Sequence, residues 1–240
     1  MAFVNAQQAR ILYGSQAISS VVRSVQPTAS RDMIEVSTIA DTGKAFIPGL
    51  TEWQLSVDGV FDNTTGTGSV LDQMTSPLAA ATTVATSIAP SGFAAGNPVW
   101  LVPAKTVSYE VQAQVANAVE YSLSLGAASA PGIGISLVDL AAVTATGTGA
   151  SQDNTTSSAN GFLAQLHITA VSGTTPNLTA VVQHSSNGST WATLGSFTAA
   201  TAIGSEIITG TGTVNRYLRI SWTVTGTTPS FTAQVSIVRF

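Results

Sequence analysis

Val107-Ser-Tyr-Glu-Val-Gln-Ala-Gln-Val115, a short Ala116-Asn-Ala118 connection, and Val119-Glu-Tyr-Ser-Leu-Ser-Leu125 form the stretch on which the fold turns. Apolar and polar residues alternate through both runs. Strand side chains point to opposite faces in turn, so each run carries one apolar face for a core and one polar face for water. The short connection makes the second run the return strand of an antiparallel hairpin, with Glu110, Gln112, Glu120 and Ser122 on its wet face. Trp53-Gln-Leu-Ser-Val-Asp58 repeats the alternation and places Gln54, Ser56 and Asp58 on a polar face of its own.

Ser69-Val-Leu-Asp72 has capping-box spacing, in which a hydroxyl and a carboxylate satisfy free amides at a helix start. Pro77 limits or bends that helix, and Leu78 to Ile88 is ambiguous between helix and strand. Residues 144–161 are small and polar, cannot bury a core of their own, and read as an interdomain linker. Beyond them, 163–171, 178–183, 191–197, 217–224 and 231–240 read as at least five strands, punctuated by Gly173-Thr-Thr-Pro176 and Gly226-Thr-Thr-Pro229 as turns. The expected fold is all-β with one short flanking helix: an N-terminal domain (1–143), a linker (144–161) and a C-terminal antiparallel jelly-roll-like β-sandwich (162–240).

Only 8% of the 240 residues are charged, against roughly 25% in ordinary soluble domains. Residues 1–150 hold five basic and ten acidic side chains, and residues 151–240 three and two, so the net charges are −5 and +1. No basic cluster exists to clasp phosphates, which excludes tight nucleic-acid binding. The absence of cysteine removes disulfides, thiolate metal sites and cysteine nucleophiles together. No apolar run approaches the length of a membrane span, and the N-terminus lacks the pattern of a secretory signal.

The segment from Arg10 to Asp62 has a further grammar: Ile11-Leu-Tyr-Gly14, Ile34-Glu-Val-Ser-Thr38, Phe46-Ile-Pro-Gly-Leu50 and Trp53 to Asp62 with its Gly59-Val-Phe-Asp ending. It resembles the tail tube (major tail) proteins of long-tailed bacteriophages, a likeness extending more loosely through the 109–125 hairpin. The resemblance implies a β-sandwich subunit that assembles with itself into a ring, typically a hexamer, whose strands form a continuous inner barrel. Stacked rings form a conduit for DNA ejection; the genome passes without specific binding, and the tape measure, tail terminator and tail tip are the neighbours. Such a protein is made in the host cytoplasm and resides in the virion. Gln54, Ser56, Asp58, Glu110, Gln112, Glu120 and Ser122 are then the lumen candidates, and Phe46, Ile47, Pro48 and Gly49 the assembly-loop candidates. The plainer reading gives the polar face ordinary solvent and makes Pro48-Gly49 a turn.

In the C-terminal region, His184-Ser-Ser-Asn-Gly-Ser-Thr-Trp191 and Asn215-Arg-Tyr-Leu-Arg-Ile220 resemble the hairpin and strand motifs of discoidin-like or galactose-binding-like modules. The domain is expected to decorate the outside of a tube. Trp191, Tyr217 and Trp222 are the candidate glycan contacts, although in sandwiches such tryptophans more often belong to the core. The alternative function is a glycan-binding virion adhesin or capsid decoration protein. No nucleophile elbow, phosphate loop or metal-binding helix motif occurs, so no catalytic residue, metal or cofactor is expected.

Overall fold

The computed structural model describes residues 6–65 and 69–240. The described residues form fourteen strands, one α-helix and two single-turn 3-10 helices, Ala6–Gln8 and Ile18–Ser20. The first half holds β1 (Arg10–Tyr13), β2 (Gln16–Ala17), β3 (Val22–Glu35), β4 (Phe46–Val60), α1 (Val70–Ala80), β5 (Val84–Ala89), β6 (Pro98–Gln112) and β7 (Glu120–Ala127). The second holds β8 (Gly132–Val143), β9 (Gly147–Thr148), β10 (Gln152–Asp153), β11 (Phe162–Ser185), β12 (Ala192–Ser196), β13 (Gly204–Gly210) and β14 (Tyr217–Arg239). Every pairing is antiparallel, and all fourteen strands belong to one hydrogen-bonded network.

In the N-terminal half the strand order is β3-β4-β7-β6, and β6 continues into β5 and β1. Leu55, Val57, Tyr121, Leu123 and Leu125 point into a core shared with Ile11, Tyr13, Val84 and Ile88. Helix α1 closes it with Met74, and begins as the spacing predicts: Ser69 Oγ accepts from the Asp72 amide at 3.2 Å. Pro77 lies inside the helix, which ends at Ala81 in a left-handed conformation, φ 52°. The ambiguous stretch resolves into helix as far as Ala80 and strand from Val84. Strand β5 is buried on both faces because its other face, with Ser87 and Ala89, turns toward the C-terminal half.

The Gly-Thr-Thr-Pro segments are not turns. Each lies within a strand of more than twenty residues, where Gly173 (φ +108°) and Gly226 (φ +122°) let β11 and β14 bend from one sheet of the sandwich to the other. Thr174 pairs with Thr227 at the centre, and Leu178↔Val224 mirrors Phe231↔Val171. A local two-fold axis therefore runs between the two threonines. One sheet reads β8-β14-β11-β13 and the other β12-β11-β14 with β9 and β10 on its edge, so β8, β9/β10 and β11 are related to β12, β13 and β14. Residues 171–182 and 224–235 are identical at eight of twelve positions. Strand β13, unread in the sequence, is the second repeat's copy of β9 and β10.

The expected linker is not a tether. Gly147 and Thr148 pair with Trp222 and Ser221, Gln152 and Asp153 with Leu218 and Tyr217, and Ser158 bridges Val214. Backbone hydrogen bonds to a sheet edge need no apolar side chain, so a small polar segment can complete a sheet without burying a core. The boundary at 143 also shifts, because β8 pairs with β14 along much of its length and places Leu137 in the C-terminal core.

Candidate assembly surface

Cross-strand register puts all seven polar residues singled out in the sequence on one face of the β3-β4-β7-β6 sheet. Ser24, Asp58, Ser122 and Glu110 form one row, and Gln26, Ser56, Ser124 and Ser108 the next. Gln112 and Glu120 lie opposite each other beyond the first row, and Gln54 pairs with Thr28 beyond the second. Ser122 Oγ donates to Asp58 Oδ1 at 2.7 Å, and Arg23 is ion-paired with Glu120. Acidic side chains outnumber basic ones here, with Glu52, Asp58, Glu110 and Glu120 against Lys105 and Arg23. On the opposite face Tyr109 and Tyr121 stack at 5.8 Å. Burial, then Tyr109 and Asp58, push the Tyr121 hydroxyl above its ordinary range.

Two departures from the sequence reading concern the first hairpin. Strand β6 ends at Gln112, so Ala113 and Val115 belong to the connection, and Val115 is fully exposed. An irregularity between Thr106 and Ser108 turns Val107 outward, 63% exposed, while Thr106 faces inward to bond the Tyr13 hydroxyl at 2.7 Å.

The sheet has two open edges. Among the described residues, strand β3 pairs only with β4. On β6, Ala104 pairs with Val84 on one side and Ala127 on the other, which places β5 and β7 on opposite flanks. From Lys105 to Gln112 only β7 pairs, so among the described residues no strand covers the outer flank of this segment. Alternation of polar residues at 24, 26, 28 and 30 was a legible signal that β3 joins this face. That its outer flank stays free was not, because backbone pairing has no residue-level signature.

Beyond the core, β3 and β4 continue as a two-stranded projection. Its register pairs Met33 with Pro48, Ile34 with Ile47 and Glu35 with Phe46, so the four assembly-loop candidates lie on a strand and not in a loop. The register slips by one residue between Arg31 and Met33, which breaks the simple alternation of β4 there: Phe46 and Pro48, paired with Glu35 and Met33, share one face of the projection, and Ile47, paired with Ile34, lies on the other. Leu50 is 85% exposed, and Met33, Ile34, Phe46 and Ile47 are exposed too. Gly49 lies close to β3: a Cβ there would lie 3.0 Å from that of Asp32.

The candidate glycan contacts do not form a platform. Trp222 is 5% exposed and sits in the C-terminal core, so it has no ring face to offer. The Arg219 guanidinium covers Trp191 at 4.1 Å, and Arg216 lies over Tyr217 at 4.9 Å while chelating Asp153 through two 2.6 Å bonds. That pairing holds Asp153 down at about 2. The expected Asn187-Gly188 hairpin is present: Gly188 has φ +74°, and Asn187 Oδ1 accepts from the Ser189 and Thr190 amides. Among the described residues no group of three or more His, Cys, Asp or Glu side chains could hold a metal ion. None of the described helices is long and apolar enough to cross a membrane.

No protein-family model matches the chain, and no curated protein is detectably similar to it. Among solved structures, the SPP1 tail tube is similar at TM-score 0.44 and 12% identity, over 55% of this chain and 78% of that one. A chain of the virion of a native gene transfer agent particle is similar at 0.43 and 12%, over 54% and 97%. The SPP1 Dit protein, described as a hub of the adsorption apparatus, is similar at 0.38 and 12%, over 97% of this chain and 99% of that one.

Proposed function

We propose that the chain is a structural subunit of a phage-type tail tube, with the β3-β4-β7-β6 sheet forming its share of the conduit wall and the C-terminal sandwich outside. The observation that carries this reading is the pair of free edges on opposite flanks of one sheet. The four strands alternate in direction, so rotation about an axis along the sheet brings β3 of one copy antiparallel to residues 105–112 of the next. Repetition closes a barrel and leaves no edge. The polar face, richer in acidic than basic groups, then lines a lumen from which phosphate is repelled. The β3-β4 projection, apolar on both faces, packs between neighbouring copies or rings.

Negative-stain electron microscopy of the full chain at rising concentration, with and without nucleating tail-tip components, tests the reading. Rings or hollow tubes of uniform width are expected. A monomer under every condition overturns it.

A further inference from the structure

The layer between the two halves is partly apolar and partly polar. Leu12, Ala89, Phe93, Val99 and Leu101 of the first half meet Leu163 and Val238 of the second. Beside them lie Ser87, Gln165, His167 and Gln234, all with no solvent exposure. His167, on β11, reaches the N-terminal half through both ring nitrogens: Nδ1 is 2.8 Å from the Gly14 carbonyl oxygen, and Nε2 is 2.9 Å from Ser87 Oγ. Ser87 Oγ is also 2.9 Å from Gln165 Oε1.

We propose that this chain of four groups is a proton-sensitive lock that holds the C-terminal sandwich against the N-terminal half and loosens when His167 takes up a proton. Gly14 offers only a carbonyl oxygen, so Nδ1 carries the proton in the neutral ring. Nε2 is then an acceptor and must receive the single Ser87 hydroxyl proton. That leaves nothing for Ser87 to donate to Gln165, whose amide must present its nitrogen to Ser87 instead. Glutamine has the same shape in either orientation, so the neutral lock closes by that choice. A second ring proton, on Nε2, reverses the sequence: Ser87 must accept from the ring and donate to Gln165 Oε1, and the amide must turn over inside a packed layer.

The new charge has no partner there. Among the described residues, the groups facing the ring are Gly14 from the β1–β2 turn, Ser87 from β5, Gln165 from β11 itself, Gln234 from β14 and Ser205 from β13, none charged. Glu206, the next residue on β13, turns away to bond Thr198. Burial accordingly holds the His167 pKa down at about 4. An uncompensated buried charge is relieved most readily by letting water into the layer, which separates the halves.

Pulsed hydrogen exchange of the full chain between about pH 7 and pH 4, corrected for intrinsic rates, tests the lock. On acidification, peptides spanning 10–15, 84–89 and 163–168 should exchange at least about tenfold faster, while 178–182 and 218–222, remote from the layer, stay protected. His167→Gln, which keeps amide hydrogen bonding but cannot charge, should lose most of that response. Simultaneous exposure of all five peptides, or an unchanged response in His167→Gln, overturns the proposal. Should that variant not fold, the nitrogen-15 titration of the wild-type ring decides: a His167 midpoint near its ordinary 6.5 refutes the lock, and a midpoint below about 5 supports it.

Discussion

Replacing Gly173 or Gly226 by alanine should destabilise the chain strongly, and by nearly the same amount at each position. At φ +108° and +122° both lie beyond the left-handed region open to other residues, a strain of about 1–3 kcal/mol. A Cβ on Gly173 would lie 2.6 Å from the Thr228 carbonyl oxygen, and one on Gly226 would lie 2.7 Å from that of Thr175. Each clash is with backbone of the opposing strand, which adds about 1–3 kcal/mol of overpacking. The sum is about 2–6 kcal/mol, or roughly 4–24 °C in Tm for a chain of this size. Urea unfolding and calorimetry of Gly173→Ala, Gly226→Ala and the double variant measure it. The two glycines face one crossing, so the double variant should cost less than the sum of the singles. Gly→Asn is the discriminating control. Asparagine tolerates the φ of an ordinary left-handed turn but not these angles. Restoration of wild-type stability by asparagine, or a cost under about 0.5 kcal/mol for alanine, refutes the bent-strand crossing and with it the two-fold relation of the repeats.

Other outcomes follow from burial and exposure. Trp222→Ala should cost about 3–5 kcal/mol through loss of core packing, read by thermal melting. Leu50→Asp, at an exposed position, should change stability by less than about 0.5 kcal/mol yet abolish tubes in the microscope. Gly59→Ala should destabilise by about 1–3 kcal/mol, because a Cβ there would lie 2.1 Å from the Val21 carbonyl oxygen and 2.7 Å from the Tyr121 ring. Acid should weaken the fold before the carboxylates titrate. With His167 held near 4 in the folded chain and about 6.5 when unfolded, the unfolded state binds the extra proton between those values. Stability is therefore full above about pH 6.5, falls by up to about 3 kcal/mol as pH drops toward 4, and levels below it, whereas His167→Gln should lack this component.

Much of the N-terminal half was legible because its strands are half buried. Leu55, Val57, Leu123 and Leu125 alternate with polar residues, and one alternation specifies both the strand and the face that is wet. Strand β5 was not legible: buried on both faces, Val84-Ala-Thr-Ser-Ile-Ala89 shows no period, and its alanines suit a helix equally well. The Gly-Thr-Thr-Pro segments misled for a different reason. Glycine and proline mark a departure from regular backbone but not whether the chain reverses or only bends. The 144–161 stretch reads as a linker because its pairing is carried by backbone groups, which composition does not report. The lock around His167 assembles residues 14, 87, 165 and 167, and only their packing reveals it.

On the proposed tube reading, the open edges also constrain how assembly can proceed. Residues 105–112 present about eight positions, and an antiparallel ladder of that length makes about eight hydrogen bonds. At a net 1 kcal/mol each, near the middle of the range for such bonds, the ladder contributes about 8 kcal/mol. Lost translational and rotational freedom opposes association by roughly 4–15 kcal/mol. A single edge-to-edge contact is therefore close to break-even, which on the proposed tube reading suits a subunit that stays unassembled until nucleated. The polar sheet face adds little apolar burial, so the surplus has to come from the β3-β4 projection, where Met33, Ile34, Phe46, Ile47 and Leu50 wait exposed. Closing a ring adds one ladder and one pair of projection contacts without freezing a further subunit. Dimers and open arcs should accordingly be scarce relative to closed rings, and assembly should set in sharply with concentration. Removing one projecting side chain should raise the onset concentration without populating smaller oligomers.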